Sequence, residues 1–177
     1  MTPSERQPAA DGFSLPELLV AVAVLGLLTS LAFGCGQRSL ARMRVEAASR
    51  RLTVGLEQAR QQAQSQGQPC ALELGPTGWR EPSGGSLPAC HTAAVVIEEH
   101  APGAAGATLV HNLPGALRFS SNGLVLDGGT VVIAAAGTEL RRCLVVSLPL
   151  GVVRLGRYTG PEGAAPSSSA CLADGAL

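Results

Sequence analysis

Residues 13–34 carry a single charged side chain, Glu17, in 22 positions. As a helix this stretch spans roughly 33 Å at ~1.5 Å per residue, enough to cross a ~30 Å hydrocarbon core. A membrane-spanning helix over 13–34 is therefore the first expectation, and everything downstream reads as a domain carried on it. Glu17 is the anomaly, since a carboxylate in hydrocarbon costs several kcal/mol when unpaired. Two readings follow. It snorkels to the interface, or it pairs with a cation on a neighbouring subunit, such as that subunit's free N-terminal amine. Small residues at Ala21, Ala23, Gly26 and Ser30 allow close helix–helix approach. Pro16 removes a backbone donor near the helix start, where the loss is cheap.

The order of features before this run is informative. A secretory signal peptide places its small-residue cleavage site after the apolar stretch. Here Gly12 precedes it. Cleavage at Gly12 would remove residues 1–12 as a leader and leave the apolar segment on the mature chain, beginning at Phe13. Arg38, Arg42 and Arg44 follow the run, whereas only Arg6 precedes it. On the positive-inside count alone, the C-terminal domain would face the cytoplasm.

The helix is expected to continue over 37–66 with a changed character. Val45, Ala48, Leu52, Leu56, Ala59 and Ala63 recur at spacings of 3, 4, 4, 3 and 4, a single apolar stripe. Arg42, Arg44, Arg50, Arg51, Glu57 and Arg60 lie mostly off it. Gly34 and Gly36 are expected to loosen the helix between its halves. Gly67-Gln68-Pro69 supplies a cap and a stop.

From residue 67 the chain reads as a β-rich domain. Most of the 22 Gly and 12 Pro lie there, which implies many turns and short strands. Strands are expected at Cys70–Leu74, Ala93–Glu98, Leu109–Leu113, Leu117–Ser120 and Leu124–Leu126. Asn122-Gly123 is a hairpin signal. Thr130–Ala136 and Cys143–Leu148 form the strongest hairpin, and Val152–Tyr158 the last strand. Residues 80–92 and 101–107 read as loops. Residues 160–170, rich in Gly, Pro, Ala and Ser, read as a mobile tail unless Cys171 ties it down. The fold class is thus α+β: one long N-terminal helix, transmembrane then amphipathic, packed on a small antiparallel β-domain.

Cysteine usage points to an oxidising compartment such as a periplasm. Cys70, Cys90, Cys143 and Cys171 are an even set in the exported part. Three connectivities are open; the favoured one is 70–90 with 143–171, which would pin the tail to the last sheet. Cys35 closes the apolar run, but Ala32, Phe33 and Gly34 do not make a lipid-attachment site.

No catalytic constellation is found. His91, His100 and His111 lie in or beside loops, away from metal-ligand spacing with the cysteines. Ser147 and Ser120-Ser121 lack a nucleophile-elbow context. No metal and no cofactor is expected. Without residues 1–12, which hold Arg6, Glu5 and Asp11, the chain keeps 12 basic and 11 acidic groups, so no global field favours nucleic acid. Arg141, Arg142, Arg154 and Arg157 are either a patch for DNA phosphates or ordinary exposed strand charges.

Gly12-Phe13-Ser14-Leu15-Pro16-Glu17-Leu18-Leu19-Val20 resembles the processing signal of type IV pilins and type II secretion pseudopilins. The resemblance implies cleavage after Gly12 by a prepilin peptidase, N-methylation of Phe13, and pairing of Glu17 with a neighbour's N-terminus as helices stack into a filament. The C-terminal half is similar to the GspH/FimT group of minor pseudopilins and minor pilins. The similar pieces are Leu117-Arg118-Phe119-Ser120 with Gly123, Gly128-Gly129-Thr130-Val131-Val132-Ile133, Cys143-Leu144-Val145-Val146-Ser147 and Gly151-Val152-Val153-Arg154. This implies a pilin-like subunit of the inner membrane, single-pass, with its C-terminal domain in the periplasm, which overrides the charge count. Its partners would be other pseudopilins, the prepilin peptidase and the membrane, and its role would be structural. FimT-like DNA-uptake pilins often end with a Gly-Arg-x-Arg pattern. Here Val152 replaces the first Arg, which leaves Arg154 and Arg157 as the residues for a DNA contact. A membrane-anchored periplasmic enzyme is the remaining alternative.

Overall fold

The computed structural model describes residues 14–90, 95–97 and 106–173, and only the backbone of 30–35. Helix α1 runs from Leu15 to Gln66 without a break across Gly34 and Gly36. The backbone ladder therefore absorbs both glycines, contrary to the expected loosening. The chain divides between Gln37 and Arg38 into two compact units.

In the first unit, Leu15, Leu18, Leu19, Val20, Val22, Val24, Leu25, Leu27 and Leu28 are all exposed. Leu15 is 76% exposed and Leu27 68%, and apolar side chains point out on every side. The expected membrane crossing over 13–34 is not met among the described residues, where no helix is long and apolar enough to cross a membrane. Phe13 and the side chains of 30–34 lie outside those residues.

In the second unit α1 behaves as its periodicity requires. Ala41, Val45, Ala48, Leu52, Leu56, Ala59 and Ala63 are buried, each at most 2% exposed. The helix ends with Gly67 at φ 62°. The Gln68 N–H donates to Ala63 O and the Gly67 N–H to Gln64 O, both at 3.3 Å. These bonds satisfy two carbonyls that the helix end would otherwise leave orphaned.

Among the described residues nine strands form two antiparallel sheets. β1 is Cys70–Gly75, β2 Gly78–Arg80, β3 Val95–Val96, β4 Ala107–His111 and β5 Leu117–Phe119. β6 is Gly129–Ala135, β7 Arg142–Ser147, β8 Val152–Tyr158 and β9 Cys171–Ala173. One sheet has the order β3-β2-β1-β5, the other β4-β6-β7-β8-β9. Both contribute to one core against the helix stripe: Leu72, Trp79, Leu117 and Phe119 from the first, Val131, Ile133, Leu144 and Val146 from the second. Burial of each such side chain contributes about 1.5–3 kcal/mol.

Trp79 fixes how the helix meets the first sheet. Its Nε1–H donates to Leu52 O at 2.8 Å. The ring lies over Gly55, where an added Cβ would come within 2.5 Å of Trp79 Cδ1. A glycine inside a helix is normally a cost; here it makes room for the indole. Two polar links fasten the same helix, Arg51 Nη1 donating to Ile97 O at 2.9 Å and Arg142 Nη2 to Glu46 Oε1 at 2.6 Å.

Several expected boundaries differ. β2 falls where only a turn and a loop were expected, because Trp79 needs a paired strand to hold its depth. β4 ends at His111 rather than Leu113: the Asn112 N–H still donates to Thr130 O at 3.1 Å, but Asn112 Oδ1 in place of the Asn112 carbonyl accepts the Thr130 N–H at 2.6 Å. Leu124–Leu126 is not a strand. Leu126 N donates to Arg118 O but Val125 N to Pro149 O, so no continuous ladder forms. Of Ala93–Glu98 only Val95–Val96 is strand; 93, 94 and 98 lie outside the described residues.

The tail is ordered up to Ala173, and Val152–Tyr158 is not the last strand. Cys143 is bonded to Cys171 and Cys70 to Cys90, closing sequence separations of 28 and 20 residues. Loops of that size correspond to roughly 3–4 kcal/mol each in the chain-entropy description. Cys143, Val145, Val132, Tyr158 and Cys171 make a second small core on the sheet face turned away from the helix. Gly156 lets β9 approach, since a Cβ there would collide with Leu172 O. Asn112 Nδ2 donates to Pro166 O at 3.0 Å and holds the middle of the tail.

Candidate functional site: the helix start and a basic groove

Ser14 and Glu17 open α1 with one arm of a capping box, the Glu17 carboxylate reaching back to Ser14. Glu17 Oε2 accepts from the Ser14 N–H at 3.4 Å and from Ser14 Oγ at 3.2 Å, and the Leu18 N–H donates to Ser14 O at 3.1 Å. A Ser-x-x-Glu spacing ahead of an apolar run is the sequence signature of this cap. That signal is legible in Ser14-Leu15-Pro16-Glu17 beside the carboxylate's charge. A carboxylate in the first turn also complements the helix dipole. Both side chains are exposed, so Glu17 keeps lone pairs open to a further donor. Gly12 and Phe13 lie outside the described residues. Downstream, Thr29 Oγ1 donates back to Leu25 O at 2.9 Å, so that hydroxyl is satisfied without water.

The four arginines of 141–157 are not brought together. Side chains alternate across a strand, and Arg154 and Arg157 are three residues apart. Arg157 pairs in register with Arg142, and Arg154 with Val145. Val145 belongs to the outer cluster, and Leu144 and Val146, on the other parity, to the main core. So Arg154 and Arg157 stand on opposite faces. Arg154 Nη2 donates to Ser168 O at 3.0 Å. Arg141 stacks 5.5 Å from the Tyr158 ring centroid, and Arg142 is held by Glu46.

Arg157 instead joins residues from the helix. With Arg38, Arg42, Gly137, Thr138, Glu139, Leu140 and Tyr158 it lines a groove of about 810 Å³. Sequence reading grouped Arg157 with its strand neighbours. Its basic companions in the groove, Arg38 and Arg42, lie more than a hundred residues earlier, and no local signal marks them.

Two further ion pairs brace the sheets. Arg118 grips Asp127 through Nε to Oδ2 at 2.7 Å and Nη2 to Oδ1 at 2.8 Å. This pair raises the Arg118 pKa and lowers that of Asp127. Glu73 accepts from the Ser83 N–H at 2.7 Å and pairs with Arg80. Hydrogen bonds from Ser83, first of all, and from Arg80 hold its carboxyl down to about 2. Both pairs are structural, away from the groove. His111 Nδ1 is buried without a hydrogen-bond partner, while His91 and His100 lie outside the described residues. Among the described residues no group of His, Cys, Asp or Glu is placed to hold a metal ion.

The family model described as type II transport protein GspH matches residues 48–150, more than half of the chain. The model of the prokaryotic N-terminal methylation motif matches residues 9–33. No curated protein and no solved structure gives a match. The GspH match spans the buried half of α1 and both sheets through β7, and the methylation motif covers the helix start with its Glu17 cap. The chain belongs to the GspH family of type II transport proteins, as a pseudopilin with a prepilin-type N-terminus.

Proposed function

We propose that this protein is a minor pseudopilin, a structural subunit of a type II secretion pseudopilus or a related type IV pilus, serving protein secretion across the outer membrane. The observation that carries this reading is the exposed apolar helix Leu15–Thr29, opening on Glu17 inside the methylation-motif match. A helix apolar on all sides needs lipid or other helices around it. In this reading a prepilin peptidase cleaves after Gly12 and Phe13 is methylated. The segment sits in the inner membrane, with the β-domain in the periplasm, until assembly exchanges lipid for neighbouring helices. Glu17 then sets register by pairing with a neighbour's N-terminal amine. The mechanism is assembly rather than catalysis. The DNA-uptake reading draws less support, because Arg154 and Arg157 share no face.

The capping arm sharpens the test of Glu17. Gln at this position retains the cap but not the charge. We expect Glu17→Gln and Glu17→Ala both to be cleaved at Gly12 and both to fail to enter filaments, read by shearing and immunodetection. Normal incorporation of Glu17→Gln would reduce Glu17 to a cap and refute the pairing role.

A further inference from the structure

Outside the groove several arginines have partners, Arg80, Arg118 and Arg142 in carboxylates and Arg51 and Arg154 in backbone carbonyls, while Arg50 and Arg60 stand singly on the helix, outside the groove. The groove is different. Arg38, Arg42 and Arg157 line one space, and among the described residues none of them has an ion-pair or hydrogen-bond partner. Glu139 is the single acid on its wall. Three exposed guanidinium groups against one carboxylate give the groove a net positive charge that attracts an anion. A guanidinium fork matches a phosphate with two parallel hydrogen bonds. Thr138 Oγ1 accepts the Leu140 N–H at 3.1 Å and retains its own proton to donate.

We infer that this groove binds the phosphate of an anionic phospholipid headgroup. The assignment rests on the membrane-anchored reading above. Two features select a lipid over a free anion. First, Arg38 and Arg42 follow the apolar run within eight residues of Gly34, and no acidic residue occurs between Glu17 and Glu46. Basic clusters so placed attract anionic headgroups. Second, about 810 Å³ is the size of a small-molecule site, with room for a glycerophosphate headgroup rather than a bare oxyanion. The groove also accounts for the arginines that the positive-inside count could not reconcile with a periplasmic domain: they hold a headgroup instead of setting orientation. Arg157 is the decisive member. It reaches the groove only through the fold, so it separates a built site from simple charge beside the apolar segment.

The test uses the full chain in neutral detergent micelles, with phosphatidylglycerol or phosphatidylcholine added and bound lipid counted by native mass spectrometry. Phosphatidylglycerol is expected to be retained in preference. Arg157→Gln should weaken that retention about fivefold, as should Arg38→Gln and Arg42→Gln, near the magnitude for one basic group at an anionic surface. Arg157→Lys should recover part of it, and Arg154→Gln, on the other face, should leave it unchanged. Loss with Arg38→Gln and Arg42→Gln but not Arg157→Gln would overturn the groove as the site. Inorganic phosphate or pyrophosphate binding with the same Arg157 dependence, without lipid preference, would overturn the lipid in favour of a soluble phosphate. A chain that fails to enter micelles overturns the anchored reading and this one with it. One that enters without preferring phosphatidylglycerol overturns this one alone.

Discussion

The two halves of α1 use apolar residues in opposite ways. From Leu15 to Thr29 they face out on all sides. From Ala41 to Ala63 seven of them form one buried stripe, with arginines, Met43 and Val54 on the remaining surface. The backbone ladder is the same in both. The difference therefore lies in what each half was selected to touch. The second half belongs to this chain's own core, whereas the first is fitted to surroundings the chain does not supply. Stability should depend on the second half and assembly on the first.

The largest expected effect tests that division. Leu52→Ala should destabilise the β-domain by about 2–5 kcal/mol through a cavity under both sheets. Leu19→Ala should change it by less than about 0.5 kcal/mol while impairing filament entry. Urea unfolding followed by the fluorescence of Trp79, the chain's single tryptophan, reads the first quantity. Equal losses from both substitutions would break the comparison.

The glycines of the same helix give a smaller contrast. Gly55→Ala would force a Cβ against the Trp79 ring. It should cost about 1–3 kcal/mol, despite the ~1 kcal/mol that alanine gains over glycine in an open helix. At Gly26 an added Cβ meets nothing within 4 Å. Gly26→Ala should therefore not lower the unfolding midpoint.

Reading these elements from sequence succeeded where one local period decided the outcome. Val45 to Ala63 is legible because 3.6 residues per turn leaves no alternative face, and the hairpin of β6 and β7 because β-branched runs flank a glycine turn. Reading failed where a distant contact decided. β9 is three residues, Cys171-Leu172-Ala173, made a strand by the bond to Cys143 and the gap over Gly156. The groove failed for the same reason, since Arg157 meets Arg38 and Arg42 only after the sheet has closed on the helix.

The smallest effect is one of pH, and it confines the acid sensitivity to the domain half. Glu73 is held at about 2, well below its ordinary value of 4.5. A carboxylate with a depressed folded pKa contributes stability that is complete above the unfolded value and is lost as pH falls through the folded one. Glu73→Gln should therefore narrow the gap between urea midpoints measured at pH 5 and pH 2.5. An unchanged gap would assign the acid sensitivity to other groups, the Asp127 carboxyl first.

In the proposed function the outward-facing half of α1 takes its role from processing at its start, and one measurement addresses that directly. The chain is co-expressed with a prepilin peptidase and the intact mass of the mature protein is determined, with its N-terminal residue. The account predicts a chain that begins at Phe13, carries one methyl group on its amine and retains the apolar segment. A mature chain beginning after that segment, or an unprocessed Met1 with active peptidase present, would contradict it.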